Sequence, residues 1–107
     1  MYSLALGDSV PMWNGTHSYP YLIVNHYQTT VPHLTLVDMA CSGETTSSML
    51  SHSLCAPGGS QYRNALSFLN AHAGKIALVT IDIGGNDIVN CIYVANPATC
   101  FANGLKT

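Results

Sequence analysis

Residues 76–83, Ile-Ala-Leu-Val-Thr-Ile-Asp-Ile, are the stretch that decides the fold. Apart from Asp82, every side chain in this stretch is aliphatic or β-branched. Such a run predicts a strand that is covered on both faces, as strands are in a parallel sheet between two layers of helices. Because an unpaired buried carboxylate is costly, Asp82 is expected to be paired or to lie at a helix terminus.

The segments before this strand alternate between strand-like and helix-like patterns. Apolar runs predict strands, and apolar residues near a helical period predict helices; the strands are 2–7 and 34–40, and the helices are 17–28, 45–54 and 61–73. Thr45 or Thr46 is placed to cap the second helix, and Gly74 to stop the third. The order βαβααβ predicts a parallel sheet with right-handed crossovers.

The remaining segments lack a clear period. Residues 56–60 are predicted to be a loop, and the chain is expected to become irregular after Asn86. Asn96-Pro97 is expected to break it, and residues 101–107 to begin a helix that does not develop. With 107 residues, the chain is one domain at most.

The composition is that of a globular protein with little charge. Apolar residues make up 48% of the chain and charged residues 7%, and the formal net charge is −2. Three basic residues cannot form a patch that follows a phosphate backbone, which argues against nucleic acid as a partner. No apolar run approaches the roughly 18–20 residues of a membrane span. The His and Cys spacing favours no metal site, and we expect no cofactor.

Four cysteines, at positions 41, 55, 91 and 100, allow three disulfide pairings. Cys41–Cys55 with Cys91–Cys100 closes two local loops and leaves no thiol over. Closing the first loop would contribute about 3 kcal/mol by the chain-entropy argument. This pairing indicates an oxidising compartment and hence a secreted protein, with any signal peptide outside these residues. The alternative is four small buried hydrophobic side chains in a reducing cytosol.

Polar, glycine-containing turns follow the three predicted strands. They are Gly7-Asp8-Ser9, Ala40-Cys41-Ser42-Gly43-Glu44 and Gly84-Gly85-Asn86-Asp87. Because ligands bind beyond the carboxyl ends of the strands in a parallel α/β sheet, the turns are expected to meet at one site. Acyl transfer needs a nucleophilic oxygen and donors aimed at the developing oxyanion. Ser9 offers a hydroxyl and a backbone N–H, Gly43 a second N–H, and Asn86 a side-chain amide.

These turns resemble three motifs of the SGNH (GDSL) hydrolase superfamily, in the same order: Gly7-Asp8-Ser9, Gly43 and Gly85-Asn86-Asp87. The strings ACSGETTSSML, GGSQY and LVTIDIGGND are similar to secreted bacterial members, including their paired cysteine loops. The resemblance covers essentially the whole chain. It implies a flavodoxin-like three-layer α/β/α fold and hydrolysis of a carboxylic ester through an acyl-Ser9 intermediate. It also implies an oxyanion hole made by the Ser9 N–H, the Gly43 N–H and the Asn86 amide.

The family's fourth motif, an Asp followed three residues later by the catalytic His, does not occur in this sequence. The residues three positions after Asp8, Asp38, Asp82 and Asp87 are Pro11, Cys41, Gly85 and Asn90. The chain therefore resembles the N-terminal portion of one SGNH domain, with about three strands over residues 1–107. Without a general base, Ser9 is a poor nucleophile.

Five histidines are candidate substitutes for the missing catalytic base. His17 lies nearest to Ser9 in sequence and is the least implausible substitute, the alternative being an exposed residue at a helix start. His26, His33, His52 and His72 are expected to be solvated and away from the site.

Several residues near the motifs have expected supporting roles. Asp8 is expected to orient the Ser9 loop by accepting hydrogen bonds from backbone amides, with a catalytic role as the alternative. Asp87 is expected to fix the turn that presents Asn86, and Glu44 to lie in the first turn of the following helix. Asn14-Gly15-Thr16 matches a glycosylation acceptor but is interpreted as a turn. Three further side chains are expected either to line an acyl pocket or to pack in the core: Met12, Trp13 and Tyr19.

The strand at 76–83 is expected to be an unprotected edge of the sheet. It is long and apolar and has no Pro or Lys, and such an edge recruits another strand. We therefore expect no stable isolated monomer. Either a second polypeptide supplies the remaining strands and the Asp-His motif, or two copies pair through this edge.

The alternative to an ester hydrolase is an inactive acyl- or carbohydrate-binding module that keeps the pocket.

Overall fold

The computed structural model of the chain describes residues 1–56 and 59–104. Three strands form an all-parallel sheet in the order β2-β1-β3; they are β1 (Tyr2–Gly7), β2 (Thr35–Asp38) and β3 (Ile76–Asp82). The described part of the chain has five helices: α1 (Tyr19–Tyr27), α2 (Thr46–Ser51), α3 (Gln61–Ala71), α4 (Gly85–Ile88) and α5 (Pro97–Gly104). The α/β class and the parallel sheet predicted from the sequence are confirmed.

Helices cover both faces of the central strand β1. The connection from β1 to β2 contains α1, and the connection from β2 back across to β3 contains α2 and α3. Since these connections run in opposite directions, right-handed crossovers place α1 and α3 on opposite faces. On the α3 face, Leu4 and Leu6 pack against Ala65 in the centre of the core.

The edge strand β3 is covered less than the sequence predicts. Its residues alternate between half-buried and exposed, and Val79 and Ile81 are 38% and 61% exposed. These two residues pair in register with Leu4 and Leu6, so they lie on the α3 face of the sheet. Helix α3 covers β1 on that face, and the helices of the described residues leave Val79 and Ile81 open to solvent. The prediction of a strand covered on both faces is therefore wrong here.

The helix boundaries follow local capping. α1 begins at Tyr19 rather than at residue 17, because Gly15–His17 forms a separate 3-10 turn. α2 ends at Ser51 and is capped by Thr45, whose Oγ1 accepts from the Ser48 N–H at 3.1 Å while Ser48 Oγ accepts from the Thr45 N–H at 2.9 Å. α3 ends at Ala71, ahead of Gly74 with φ +80°.

The segment after Asn86 is more regular than predicted. Residues 89–93 form a 3-10 turn, and α5 follows with Pro97 as its first residue. Proline is favoured at this position because its missing N–H has no partner in the helix, so Asn96-Pro97 starts a helix instead of breaking the chain. Asn96 Oδ1 accepts from the Thr99 N–H at 3.3 Å. Two parts of the predicted segments lie outside the described residues: Pro57-Gly58 and residues 105–107.

The structure contains two local disulfides, Cys41–Cys55 and Cys91–Cys100, with Cα–Cα distances of 5.8 and 5.4 Å. The first ties the end of β2 to the loop before α3, and the second ties the 3-10 turn to α5. Disulfides of this kind are typical of proteins from oxidising compartments. Among the described helices, none has both the length and the apolar character that crossing a membrane requires.

Candidate active site

The turns after the three strands meet around Gly7. The Gly7 carbonyl accepts from the Cys41 N–H at 3.0 Å, and the Asp8 N–H donates to the Asp82 carbonyl at 3.0 Å. Gly7 has φ +139°, and a Cβ there would lie 2.0 Å from the Asp82 oxygen. Only glycine fits this close approach of β1 to the end of β3, so Gly7 fixes where the Ser9 turn begins.

Asn86 and Asp87 bind the turn after β2. The Asn86 side-chain amide donates to the Glu44 carbonyl at 3.0 Å. The Asp87 carboxylate accepts from the Thr46 N–H at 3.1 Å and from the Thr46 hydroxyl at 2.7 Å. Asp87 therefore holds α4 against the start of α2, beyond the expected role of fixing its own turn. Together the two contacts place Asn86 beside the Glu44-Thr45 peptide.

Two of the three hydrogen-bond donors expected of an oxyanion hole are unbonded among the described residues. Within residues 1–56 and 59–104, neither the Ser9 N–H nor the Gly43 N–H donates a hydrogen bond, and the half-buried Ser9 hydroxyl has no partner. An amide nitrogen carries two hydrogens, so Asn86 keeps one after bonding to Glu44. Each of these donors therefore keeps an N–H from which an anionic oxygen could accept.

Asp8 makes the orienting contact expected of it. Its side chain is 3% exposed, and Oδ1 accepts from the Val10 N–H at 2.9 Å. This contact holds the turn that carries Ser9. Asp82, in contrast, is half-buried, and its carboxylate has no hydrogen bond or ion pair to any described residue. The first alternative, a paired Asp82, is therefore wrong. Asp82 ends β3 two residues before Gly84, the N-cap of α4, so it lies near a helix terminus and not at its cap.

No histidine of the described residues hydrogen-bonds to Ser9. His17 is exposed at the end of its 3-10 turn. His72 is half-buried instead of solvated, since its ring packs on Tyr2 and Phe68 at centroid distances of 4.8 and 4.2 Å. That cluster lies at the opposite end of β1 from Ser9. The structure therefore places no imidazole base at the site.

A buried polar network behind the site was missed by sequence reasoning. Glu44 precedes the cap of α2 instead of lying in its first turn, and its side chain is 0% exposed. Its carboxylate accepts from the hydroxyl of Ser48, from the hydroxyl of Ser53 at 2.5 Å, and from the Gln61 amide at 2.9 Å. The interpretation of Glu44 as a residue of the first helical turn is wrong because Thr45 takes the cap position.

Gln61 connects this network to β1. Its Oε1 accepts from the Gly7 N–H at 2.6 Å, and its amide nitrogen donates to the Gly7 carbonyl at 3.0 Å. Gln61 is the first residue of α3, directly after the capping Ser60. The only sequence signal for this role was a polar residue at the start of a helix, which usually faces solvent.

The side chains expected to line an acyl pocket are mostly exposed. Trp13 and Met12 are 74% and 45% exposed, so the alternative of core packing is wrong for both. Tyr19 is half-buried, with its hydroxyl 3.5 Å from Thr80 Oγ1. Exposed apolar side chains next to a serine are compatible with contact to an acyl chain.

A cavity of about 610 Å³ lies on the other side of the network, between the end of β2, residues 53–56 and α3. Asp38, Glu44, Gln61 and Phe68 are among its lining residues, and Ser9 is not. Partial burial raises the pKa of the Asp38 carboxyl, and the Ala40 N–H, which donates to it at 3.0 Å, partly offsets the rise. This cavity is therefore separate from the Ser9 hydroxyl.

Among the described residues, no group of three or more His, Cys, Asp or Glu side chains is arranged to hold a metal ion. Comparison with known proteins finds no matching family model, no matching curated protein and no matching solved structure.

Proposed function

We propose that this chain carries the nucleophile and the oxyanion hole of a serine ester hydrolase of the SGNH (GDSL) type. One observation supports the proposal: the turns after β1, β2 and β3 carry the unbonded Ser9 hydroxyl, the unbonded Gly43 N–H and the Asn86 amide, respectively. The order β2-β1-β3 is also the order of the first three strands in a flavodoxin-like sheet.

The proposed reaction is acyl transfer to Ser9. Ser9 Oγ bonds to the ester carbonyl carbon as its proton passes to a base, and the carbonyl oxygen becomes the anion that the three donors bind. Collapse of this intermediate breaks the ester C–O bond, and the leaving alcohol takes the proton. Water then hydrolyses acyl-Ser9 to the carboxylic acid. The base comes from outside the described residues.

The test supplies the missing base from solution. The folded chain is incubated with a fluorophosphonate probe in the presence and absence of imidazole, and adducts are located by peptide mass mapping. The phosphorus bonds to Ser9 Oγ, fluoride leaves, and imidazole takes the proton. We expect labelling at Ser9 that rises with imidazole, is absent in Ser9→Ala and is unchanged in Ser47→Ala, where an exposed helix serine is lost.

The lack of a base at Ser9 also favours the second candidate, an inactive module that binds acyl or carbohydrate ligands. This module would keep the donors and lack turnover. Labelling spread evenly over the surface serines, with no preference for Ser9 at any imidazole concentration, would contradict the hydrolase and support the binding module.

The same proposal includes a partner strand at the free edge of β3. The strand order leaves β3 at an edge, and Val79 and Ile81 expose apolar surface beside it. An edge of this type pairs with another strand, either from a second polypeptide or from a second copy of the chain. Light scattering after size-exclusion chromatography should show association of the purified chain. Val79→Lys should weaken it and Leu66→Lys, on α3, should not; a compact monomer of the unaltered chain would contradict pairing between copies.

A further inference from the structure

Glu44 adds a connection among the three strand ends to the contacts that they make directly. Its carboxylate binds the Gln61 amide, which in turn binds Gly7 at the end of β1. Its backbone carbonyl accepts from Asn86, in the turn after β3, and its N–H donates to the Cys41 carbonyl at 3.1 Å. Gly43 precedes it directly. Glu44 therefore adjoins the Gly43 donor, contacts the Asn86 amide, and is linked through Gln61 to the turn that carries Ser9.

Gln61 fixes the other end of this connection. By binding both the N–H and the carbonyl of Gly7, it holds the two peptide groups on either side of this residue, at 2.6 and 3.0 Å. Gln61 is 2% exposed, so water does not compete for these bonds. The turn that leads from Gly7 to Ser9 therefore has a fixed position relative to Glu44.

The cost of burying the Glu44 carboxylate favours a role in positioning the turns over a role in stabilising the fold. A carboxylate at 0% exposure loses its hydration, and no cation of the described residues forms an ion pair with Glu44. Apolar side chains of the same size often stabilise a core as well as or better than a buried charged group. What apolar side chains cannot supply is a set of directional contacts between the three turns.

We propose that Glu44 and Gln61 are positioning residues of the oxyanion hole. Neither contacts the substrate; Glu44 sets the place of the Gly43 N–H and the Asn86 amide, and Gln61 fixes the Gly7–Ser9 turn against them. This inference rests on the proposed function, because it assigns these residues to the site that binds the oxyanion.

The test measures the rate of Ser9 phosphonylation with imidazole present. Misplacing a reacting group by about 1 Å costs roughly 100-fold in rate, so we expect Glu44→Ala and Gln61→Leu to slow labelling by about that factor. Glu44→Gln should stay within about threefold, because its oxygen still accepts from Ser53 and Gln61 and its amide can donate to Ser48. The Ser48 hydroxyl can then donate to the Thr45 carbonyl, 3.3 Å away.

A double-mutant cycle separates positioning from loss of stability. If Glu44 acts through the Asn86 amide, Glu44→Ala should slow the Asn86→Ala variant much less than it slows the unaltered chain. Leu69→Ala, which removes a core side chain of α3 away from the network, controls for destabilisation and should label at the normal rate when folded. Labelling of Glu44→Ala at the normal rate, or effects that multiply fully with Asn86→Ala, would overturn the inference.

A second readout keeps this inference separate from the proposed function. In ¹⁵N spectra, Glu44→Ala should move the Gly7 and Gly43 backbone signals and the Asn86 side-chain signal, whereas Leu69→Ala should leave them in place. If the unaltered chain is never labelled at Ser9, the proposed function fails. If the chain is labelled but these signals do not move, only the positioning role fails.

Discussion

The two sides of the strand-end region differ in how their polar groups are bonded. Behind the site, Glu44 and Gln61 are buried and fully engaged in hydrogen bonds. In front, the Ser9 hydroxyl and the Gly43 N–H have no partner among the described residues. A buried group must be bonded to be tolerated, whereas a group that binds an anion must be left free. We therefore expect substitutions on the rear side to change stability and, under the proposed function, substitutions on the front side to change reactivity.

The largest effect should come from Gly7→Ala, which breaks the rear side. The added Cβ would lie 2.0 Å from the Asp82 carbonyl oxygen, and the backbone φ of +139° is unfavourable for alanine. Since backbone must move and the Gln61 contacts are lost with it, we expect destabilisation of about 4 kcal/mol or more. Urea unfolding followed by circular dichroism measures this. Gly15→Ala is the control, because a Cβ there meets nothing within 4 Å and only the φ of +55° is strained.

The next effect should come from removing the Cys41–Cys55 disulfide as Cys41→Ala/Cys55→Ala. It closes the loop that carries Gly43 and Glu44, with a sequence separation of 14, so we expect a loss of about 3 kcal/mol. Removing Cys91–Cys100 the same way should cost nearly as much by loop entropy, yet leave the Gly43 amide signal unchanged. Equal shifts of the Gly43 signal in both variants would show that the loop closed by Cys91–Cys100 also affects Gly43, and would contradict this prediction.

The strand ends could be predicted from sequence because each strand is an apolar run followed by glycine and polar residues. β1 was predicted at its observed bounds, and Thr45 was among the predicted caps. The disulfides follow from the local spacing of four cysteines. These features depend on neighbours along the chain, for which sequence patterns are informative.

The network and the open face of β3 could not be predicted because they depend on distant contacts. Gln61 lies 54 residues from Gly7, and nothing in its local pattern differs from a solvent-exposed polar residue. Val79 and Ile81 are apolar, as residues of a covered strand are. Only the arrangement of the helices shows that the face of β3 that carries them is open. Hydrophobicity indicates which side chains prefer burial but does not show what is available to cover them.

A smaller effect is expected from Asp38→Asn, at the cavity behind the network. The pKa of Asp38 is raised by burial, so its ionised form is disfavoured in the folded chain. The unaltered chain should therefore lose stability as pH rises through the raised pKa and Asp38 ionises. The asparagine variant, which has no carboxyl to ionise, should not. Because Asp38 is only partly buried and solvent screens its charge, we expect a gain of only about 0.5 kcal/mol at neutral pH, and none at a pH below the ordinary aspartate pKa of 3.8. Unfolding of both proteins across this range measures the difference, and a gain independent of pH would contradict it.

The smallest effect on stability should come from Ser9→Ala, on the front side. Its hydroxyl has no partner among the described residues, so its removal should change the free energy of unfolding by less than about 0.5 kcal/mol. Ser53→Ala is the matched control, because that hydroxyl donates to Glu44 at 2.5 Å and accepts from the Gln61 N–H at 2.8 Å.

Losing the Ser53 hydroxyl leaves the buried Gln61 N–H without a partner and removes one of the hydrogen bonds to the Glu44 carboxylate, which should cost about 1–3 kcal/mol. The two serines thus separate the sides of the site by stability alone, without any substrate. A loss above 1 kcal/mol in Ser9→Ala would show that its hydroxyl is bonded in the folded chain. It would then no longer be the free hydroxyl that acyl transfer requires.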